Sequence, residues 1–279
     1  VKEIGETQGN KNMKKLVGGN LFFFSLFMQK QKGGNKKKME LRKKALTLMA
    51  QGHEMWLEKA KIEDGNVELA LLYGHNMRAD GTADPERITP IVYSPDGTTL
   101  EPALTSKEDH HLLTFKAEKE GHYTAIVDLA SVILSQTKEG YHVGPRFKFK
   151  NVIYAGAYHQ MAKRIVPIGD VGTYHGELVH GILEIVPEDI RCEVGSEVEL
   201  TVYYEGKSLA SAEVKAVSKN EGKEMALVTT DEKGIARVPI TGEGEWMFLV
   251  RHRDPTKKVS EEYDESVFVS TLVIETVEG

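Results

Sequence analysis

The sequence predicts an all-β protein of two β-sandwich domains, the second immunoglobulin- or transthyretin-like. Three observations carry this expectation. From Glu54 onward apolar and polar residues alternate with period two, as in strands with one buried face. Turn-forming residues interrupt the alternation at short, regular intervals. No long segment of 3.6-residue period with helix caps occurs.

Residues 1–52 do not have the pattern of a folded domain. They hold Gly pairs at 18–19 and 33–34, a Lys run at 36–38 and two short apolar runs, 21–28 and 45–50. We read this stretch as a basic, disordered leader and an imperfect export signal, with small residues at Ala50 and Gly52 where a signal peptidase reads. The other reading is a disordered basic tail. Residues 53–181 form the first expected sandwich. Its strands are Asn66 to Tyr73, then Thr89 to Tyr93 and Thr98 to Leu104 around the turn Ser94-Pro95-Asp96-Gly97. Leu112 to Ala117, Tyr123 to Leu129 and Phe147 to Lys163 follow, with Ser131 to Ser135 as a continuation. Residues 76–87 read as a polar loop, and Tyr141 to Pro145 as a break. The glycine-rich stretch 167–181 connects to the second sandwich, residues 182–279. There Leu183 to Val186, Glu197 to Tyr204, Ala212 to Val217, Met225 to Thr229, Ile235 to Ile240, Trp246 to Arg251 and Ser266 to Glu275 alternate cleanly.

Charge and cysteine narrow the function. The 279 residues carry a formal charge of −6, but the leader holds 12 Lys and Arg against 3 Asp and Glu. The remainder is therefore strongly acidic, which repels nucleic acid and anionic lipid and attracts cations. The single Cys192 excludes an intrachain disulfide and a thiolate zinc cluster. No apolar run reaches the ~18 residues of a membrane helix. HExxH, GxSxG and phosphate-binding glycine loops are all missing, which favours binding over catalysis.

A metal would thus be held by imidazole, carboxylate or backbone. Cleavage after Gly52 would leave His53 first, its free amine and imidazole forming a bidentate chelate for Ni²⁺ or Co²⁺. The alternative is one exposed histidine before the first strand. His142 lies in a Gly/Pro loop and His159 opposite the aromatic face of Tyr154 and Tyr158; each reads first as a surface or core residue and second as a ligand. His175 and His180 flank the interdomain connection and would complete a site there, or serve only as linker polarity. His110 and His111 point to opposite strand faces and cannot share a site. His122 and His252 are left out, and Glu54 and Glu58 are further oxygen donors.

The C-terminal run LEIVPEDIRCEVGSEVELTVYYEGKSLASAEVKAV, with TTDEKGIARVPI, GEWMFLVRHRDP and YDESVFVSTLVIE, resembles domain-of-unknown-function family 4198. This is a bacterial and archaeal family of exported, NikK-like proteins associated with nickel or cobalt uptake. His53, Trp56 and Leu57 match its His-x-x-Trp-Leu segment, and Gly74-His75 its second-strand ending. The resemblance covers roughly residues 53–277, and TTDEKG with the alternation after it also resembles the carboxypeptidase-regulatory-like sandwich. It implies a periplasmic or extracytoplasmic component that binds Ni²⁺ or Co²⁺ as cargo and delivers it to the membrane components of an energy-coupling-factor importer. His75 joins His53 as a ligand on this ground. A structural or adhesive tandem sandwich without metal is the competing expectation.

Overall fold

The computed structural model describes residues 52–179 and 181–277. The leader's apolar runs and most of the expected cleavage signal lie outside the described residues, as does His180.

The described residues begin with β1 (Glu54–Leu57), β2 (Lys61–Glu63), β3 (Asn66–His75) and β4 (Arg78–Gly81). A 3-10 turn at Pro85–Arg87 leads to β5 (Ile88–Tyr93), β6 (Thr99–Leu100), β7 (Ala103–Ser106) and β8 (His111–Lys116). Next come the long β9 (Gly121–Thr137), then β10 (Gly140–Val143) and β11 (Tyr154–Ile168). After the glycine-rich connection follow β12 (Leu183–Pro187), β13 (Cys192–Glu193), β14 (Glu197–Tyr204), β15 (Lys207–Ser208) and β16 (Glu213–Ser218). The series ends with β17 (Lys223–Thr229), β18 (Ile235–Pro239), β19 (Glu245–Asp254) and β20 (Glu265–Val277). The molecule is all-β, as its alternation predicts. No helix among the described residues is long and apolar enough to cross a membrane.

Three sheets result among the described residues. The first has the order β1-β3-β8-β7, with β2 beside β1 and β4 beside β8 along the two edges of β3. The second runs β17-β16-β19-β20-β11-β9-β5-β6, and the third is β12-β14-β15 with β18 on the other edge of β14. In the second sheet β11 and β20 pair in parallel, from Gly156 opposite Glu265 to Arg164 opposite Val273. That pairing joins strands of the early and late chain in one sheet.

The two faces of this shared sheet carry different cores. Leu69, Leu71 and Leu113 of the first sheet pack against Val92, Ala125, Val127 and Val166. On the late strands Phe248, Leu272 and Ile274 pack against Ile185, Leu200 and Val238 of the third sheet. A third cluster sets Trp56 and Met77 against Met247, Leu249, Val269 and Val273. Successive side chains of β20 therefore feed opposite faces, as strand alternation requires. Each fully buried Leu, Val or Phe in these clusters contributes about 1.5–3 kcal/mol.

Turn chemistry fixes the hairpins. Ser94 N–H donates to Thr98 O at 2.8 Å, closing the β5–β6 turn, and Gly97 takes the left-handed φ of 79°. Local expectations change at four places. Thr98 to Leu104 is split between β6 and β7, which lie in different sheets, and Phe147 to Ile153 precedes β11, with a 3-10 turn at Arg146–Lys148. Tyr141 to Val143 is no break: β10 folds back on β9 through Lys138-Glu139, with Gly140 opposite Thr137. The stretch 76–87 is not wholly loop either, because β4 pairs with the end of β3. Four residues without apolar alternation give no strand signal.

Candidate metal centre

The β3–β4 hairpin builds the centre. Its two-residue turn, Asn76-Met77, has φ of 50° and 60°. Positive φ at both positions is the primed turn that matches strand twist, yet Met rarely adopts it. Three contacts hold the turn there. Met77 is buried in the cluster around Trp56, Asn76 N–H donates to Glu54 Oε1 at 2.8 Å, and Lys215 Nζ donates to Asn76 Oδ1 at 3.2 Å. Gly74 lets β4 approach: a Cβ at this position would stand 2.1 Å from Arg78 O. Without a side chain there, β4 crosses close to β3 and brings Asp80 to the mouth of the site.

β1 lies on the other edge of β3, with Glu54 opposite Gly74. His53, one residue earlier, is therefore set beside His75. Their ring centroids are 3.9 Å apart, and Tyr73 lies 5.4 Å from His53. His53 is buried, whereas the side chains of His75 and Asp80 are 43% and 50% exposed. One donor atom from each of these three lies within 4.8 Å of the others. It is the one group of three such donors that converges among the described residues.

The hydrogen bonds assign the nitrogens. His53 Nε2–H donates to Asp80 Oδ1 at 2.6 Å, since an ionised carboxylate can only accept. In the neutral ring His53 Nδ1 then keeps its lone pair, and the atom is buried with no hydrogen-bond partner. An unpaired polar atom at such depth is costly, and a bound cation would satisfy it. On the second ring His75 Nδ1 stands 3.6 Å from Glu54 Oε2, an ion-pair distance rather than a hydrogen bond. Glu54 is itself buried, with Lys215 Nζ 3.8 Å away. Each imidazole thus has one nitrogen turned to a carboxylate and one left over. Ligating histidines are commonly held this way, because the carboxylate fixes tautomer and ring orientation. Gln160 Nε2 donates to His53 O at 2.7 Å and pins the residue to β11. Burial raises the Tyr73 hydroxyl above the usual tyrosine range, with Arg87 pulling the other way, so this wall of the site stays neutral.

The other expected ligands lie elsewhere. His142 Nε2 is 3.0 Å from Thr137 Oγ1, and its ring stacks on Phe149 at 5.0 Å. His159 stacks on Phe268 at 4.7 Å, while its neighbour Gln160 reaches His53. Burial lowers the proton affinity of His159. His175 is exposed in the connection between β11 and β12. Glu58 pairs with Lys219 at 2.9 Å rather than entering the centre. His110 and His111 diverge as expected: His111 is buried against Ala83 O at 2.9 Å, and His110 pairs with Asp109. Asp80 is the residue the sequence does not reveal, because 76–87 reads as a polar loop while β4 in fact pairs with β3.

A family model described as a domain of unknown function, DUF4198, matches residues 50–254. Among curated proteins none matches the chain. Solved structures give only remote likenesses. The Escherichia coli adhesin FdeC is 10% identical over 81% of this chain and 64% of its own, with a TM-score of 0.23. The BSP domain of a biofilm-associated protein is 13% identical over 80% of this chain and 30% of its own, at 0.20. The D0–D1 domain of intimin is 13% identical over 80% and 98%, at 0.21. The chain thus spans less than two thirds of the first two.

Proposed function

The chain belongs to the DUF4198 family, and from that footing we propose that it captures Ni²⁺ or Co²⁺ outside the cytoplasm and hands the ion to an importer of the energy-coupling-factor type. One observation carries the reading. His53, whose Nδ1 is buried and unpartnered, stands in a group with His75 and Asp80, and a carboxylate faces His53 Nε2 and His75 Nδ1. Imidazole nitrogens with a carboxylate close by suit borderline divalent metals.

In this reading His53 Nδ1 and His75 Nε2 bind the ion, and Asp80 and Glu54 hold the rings. Cleavage after Gly52 adds the α-amine of His53, which closes a six-membered chelate ring with Nδ1. The exposed rim formed by His75 and Asp80 lets the ion leave again, as cargo must. The strongly acidic composition of residues 53–279 supports cation capture at longer range.

Titration calorimetry with Ni²⁺ tests the proposal. Wild-type protein should bind one ion per chain, and His75→Ala should weaken binding at least tenfold. Unchanged affinity in that variant would reject the site. Comparing protein that begins at His53 with the same protein carrying one extra N-terminal residue tests the amine separately. Equal affinities would remove the amine while leaving the imidazoles.

A further inference from the structure

Three buried side-chain polar atoms have no hydrogen-bond partner among the described residues: His53 Nδ1, Gln160 Oε1 and Ser270 Oγ. Ser270 stands apart. Its neighbour Thr271 donates to Met55 O, so strand alternation turns Ser270 toward the third sheet. The other two atoms belong to residues in direct contact, because Gln160 Nε2 donates to His53 O at 2.7 Å.

That bond decides which way the amide lies. Reversed, it would set the Gln160 carbonyl oxygen against the His53 carbonyl, two acceptors with no proton between them. Oε1 is therefore the free end of the amide, on a side chain that is buried. The Tyr73 hydroxyl also meets this side chain, and there Gln160 favours the phenolate, as an N–H does. The register of β9 and β11 shifts between Tyr158 and Gln160, a bulge of the kind that re-aims side chains beside a site.

With its Nε2–H given to Asp80, the neutral His53 ring offers Nδ1 as an acceptor. Gln160 Oε1 is an acceptor too, and two acceptors cannot satisfy each other. Leaving both unmet is costly, so the group that takes their lone pairs comes from outside the chain. The carboxylates of Asp80 and Glu54, which face His53 and His75, favour a cation there over a neutral water.

Resting on the site proposed above, we infer that Gln160 Oε1 is a further ligand of the captured ion and raises the preference for Ni²⁺ over Zn²⁺. Zn²⁺ is satisfied by four donors in a tetrahedron, whereas Ni²⁺ in a tetragonal or octahedral setting draws on more.

Calorimetry on the full chain, with Ni²⁺ and Zn²⁺ alone as probes, tests the assignment. Gln160→Met should weaken Ni²⁺ binding at least tenfold more than Zn²⁺ binding. Gln160→Glu keeps an oxygen at the end of the side chain and drops only the N–H, so it should recover most of that loss. Unchanged Ni²⁺ affinity in Gln160→Met would give Oε1 to a buried water and overturn the proposal. Equal losses of both ions in the two variants would make Gln160 only a strut for His53 O, which also overturns it. Wild-type protein labelled with ¹⁵N-glutamine covers the case of a variant that does not fold. There Co²⁺ should carry the Gln160 amide signals far outside their range in the Zn²⁺-loaded protein, and signals that stay would overturn the proposal. Failure of the whole site reads differently: His75→Ala would then bind Ni²⁺ as tightly as wild type, and the role of Gln160 would fall with it.

Discussion

His53 Nε2 donates to Asp80 Oδ1 at 2.6 Å although the two residues lie 27 positions apart. The bond fixes the ring, and its other nitrogen, Nδ1, is buried without a partner. On the neighbouring ring Glu54 faces His75 at longer range. These two pairs give the centre its order before any cation arrives.

The first prediction concerns these carboxylates. Asp80→Asn and Glu54→Gln keep size and remove charge, so each should lower Ni²⁺ affinity by about 10–100-fold. Calorimetry measures the loss, and an unchanged circular dichroism spectrum shows that the fold survives. An affinity within twofold of wild type in both variants would remove the carboxylate–imidazole pairing from the account.

Gly74→Ala should damage the site through the backbone. The added methyl would stand 2.1 Å from Arg78 O, so β4 must move and take Asp80 with it. We expect destabilisation of about 1–3 kcal/mol, as for other overpacked positions. Ni²⁺ binding should weaken together with stability in urea. Retained affinity would show that the position of β4 does not matter to the site.

A buried pair outside the centre should contribute strongly to stability. Lys163 Nζ donates to Glu184 Oε1 at 2.5 Å with both side chains fully buried. Burial lowers the lysine's proton affinity, and Glu184 beside it opposes that shift. The Glu184 carboxylate also accepts from Val179 N–H and Gly181 N–H, so it anchors the connection before β12. Lys163→Met would leave this carboxylate buried without its cation, a loss of about 3–5 kcal/mol. Urea denaturation reads it directly, and a loss under 1 kcal/mol would contradict the burial described.

Mild acid should destabilise the fold. Burial lowers the proton affinities of His111, His122, His159 and His252 below that of a free histidine. The unfolded chain therefore binds more protons once pH falls below about 6.5. Stability must then fall as pH falls, and it is fully present above that value. The melting temperature of metal-free protein should drop between pH 7.5 and 5.5, and His111→Gln should flatten the slope. A melting temperature independent of pH would contradict neutral burial of these rings.

Much of the fold was legible in the sequence because alternation is local. Glu197 to Tyr204 is a strand over the range its pattern predicts, and the Ser94 to Gly97 turn closes a hairpin with Thr99–Leu100, although Leu104 leaves for another sheet. The pairing of β11 with β20 was not legible, since it joins residues about a hundred positions apart and leaves no periodic trace. The site was half legible for the same reason. His53 and His75 stand in short motifs, but Asp80 arrives through the close approach of β4 at Gly74. His142 and His159 resemble ligands in sequence. Only the face each occupies, against Phe149 and Phe268, sets them apart.

Diffraction from a Ni²⁺-soaked crystal, measured at the nickel absorption edge, tests the central claim most directly. The account predicts one strong anomalous peak within bonding distance of His53 Nδ1 and His75 Nε2, with Asp80 still holding His53 Nε2. A peak placed elsewhere on the chain, with the His53 ring unmoved and unliganded, would contradict it.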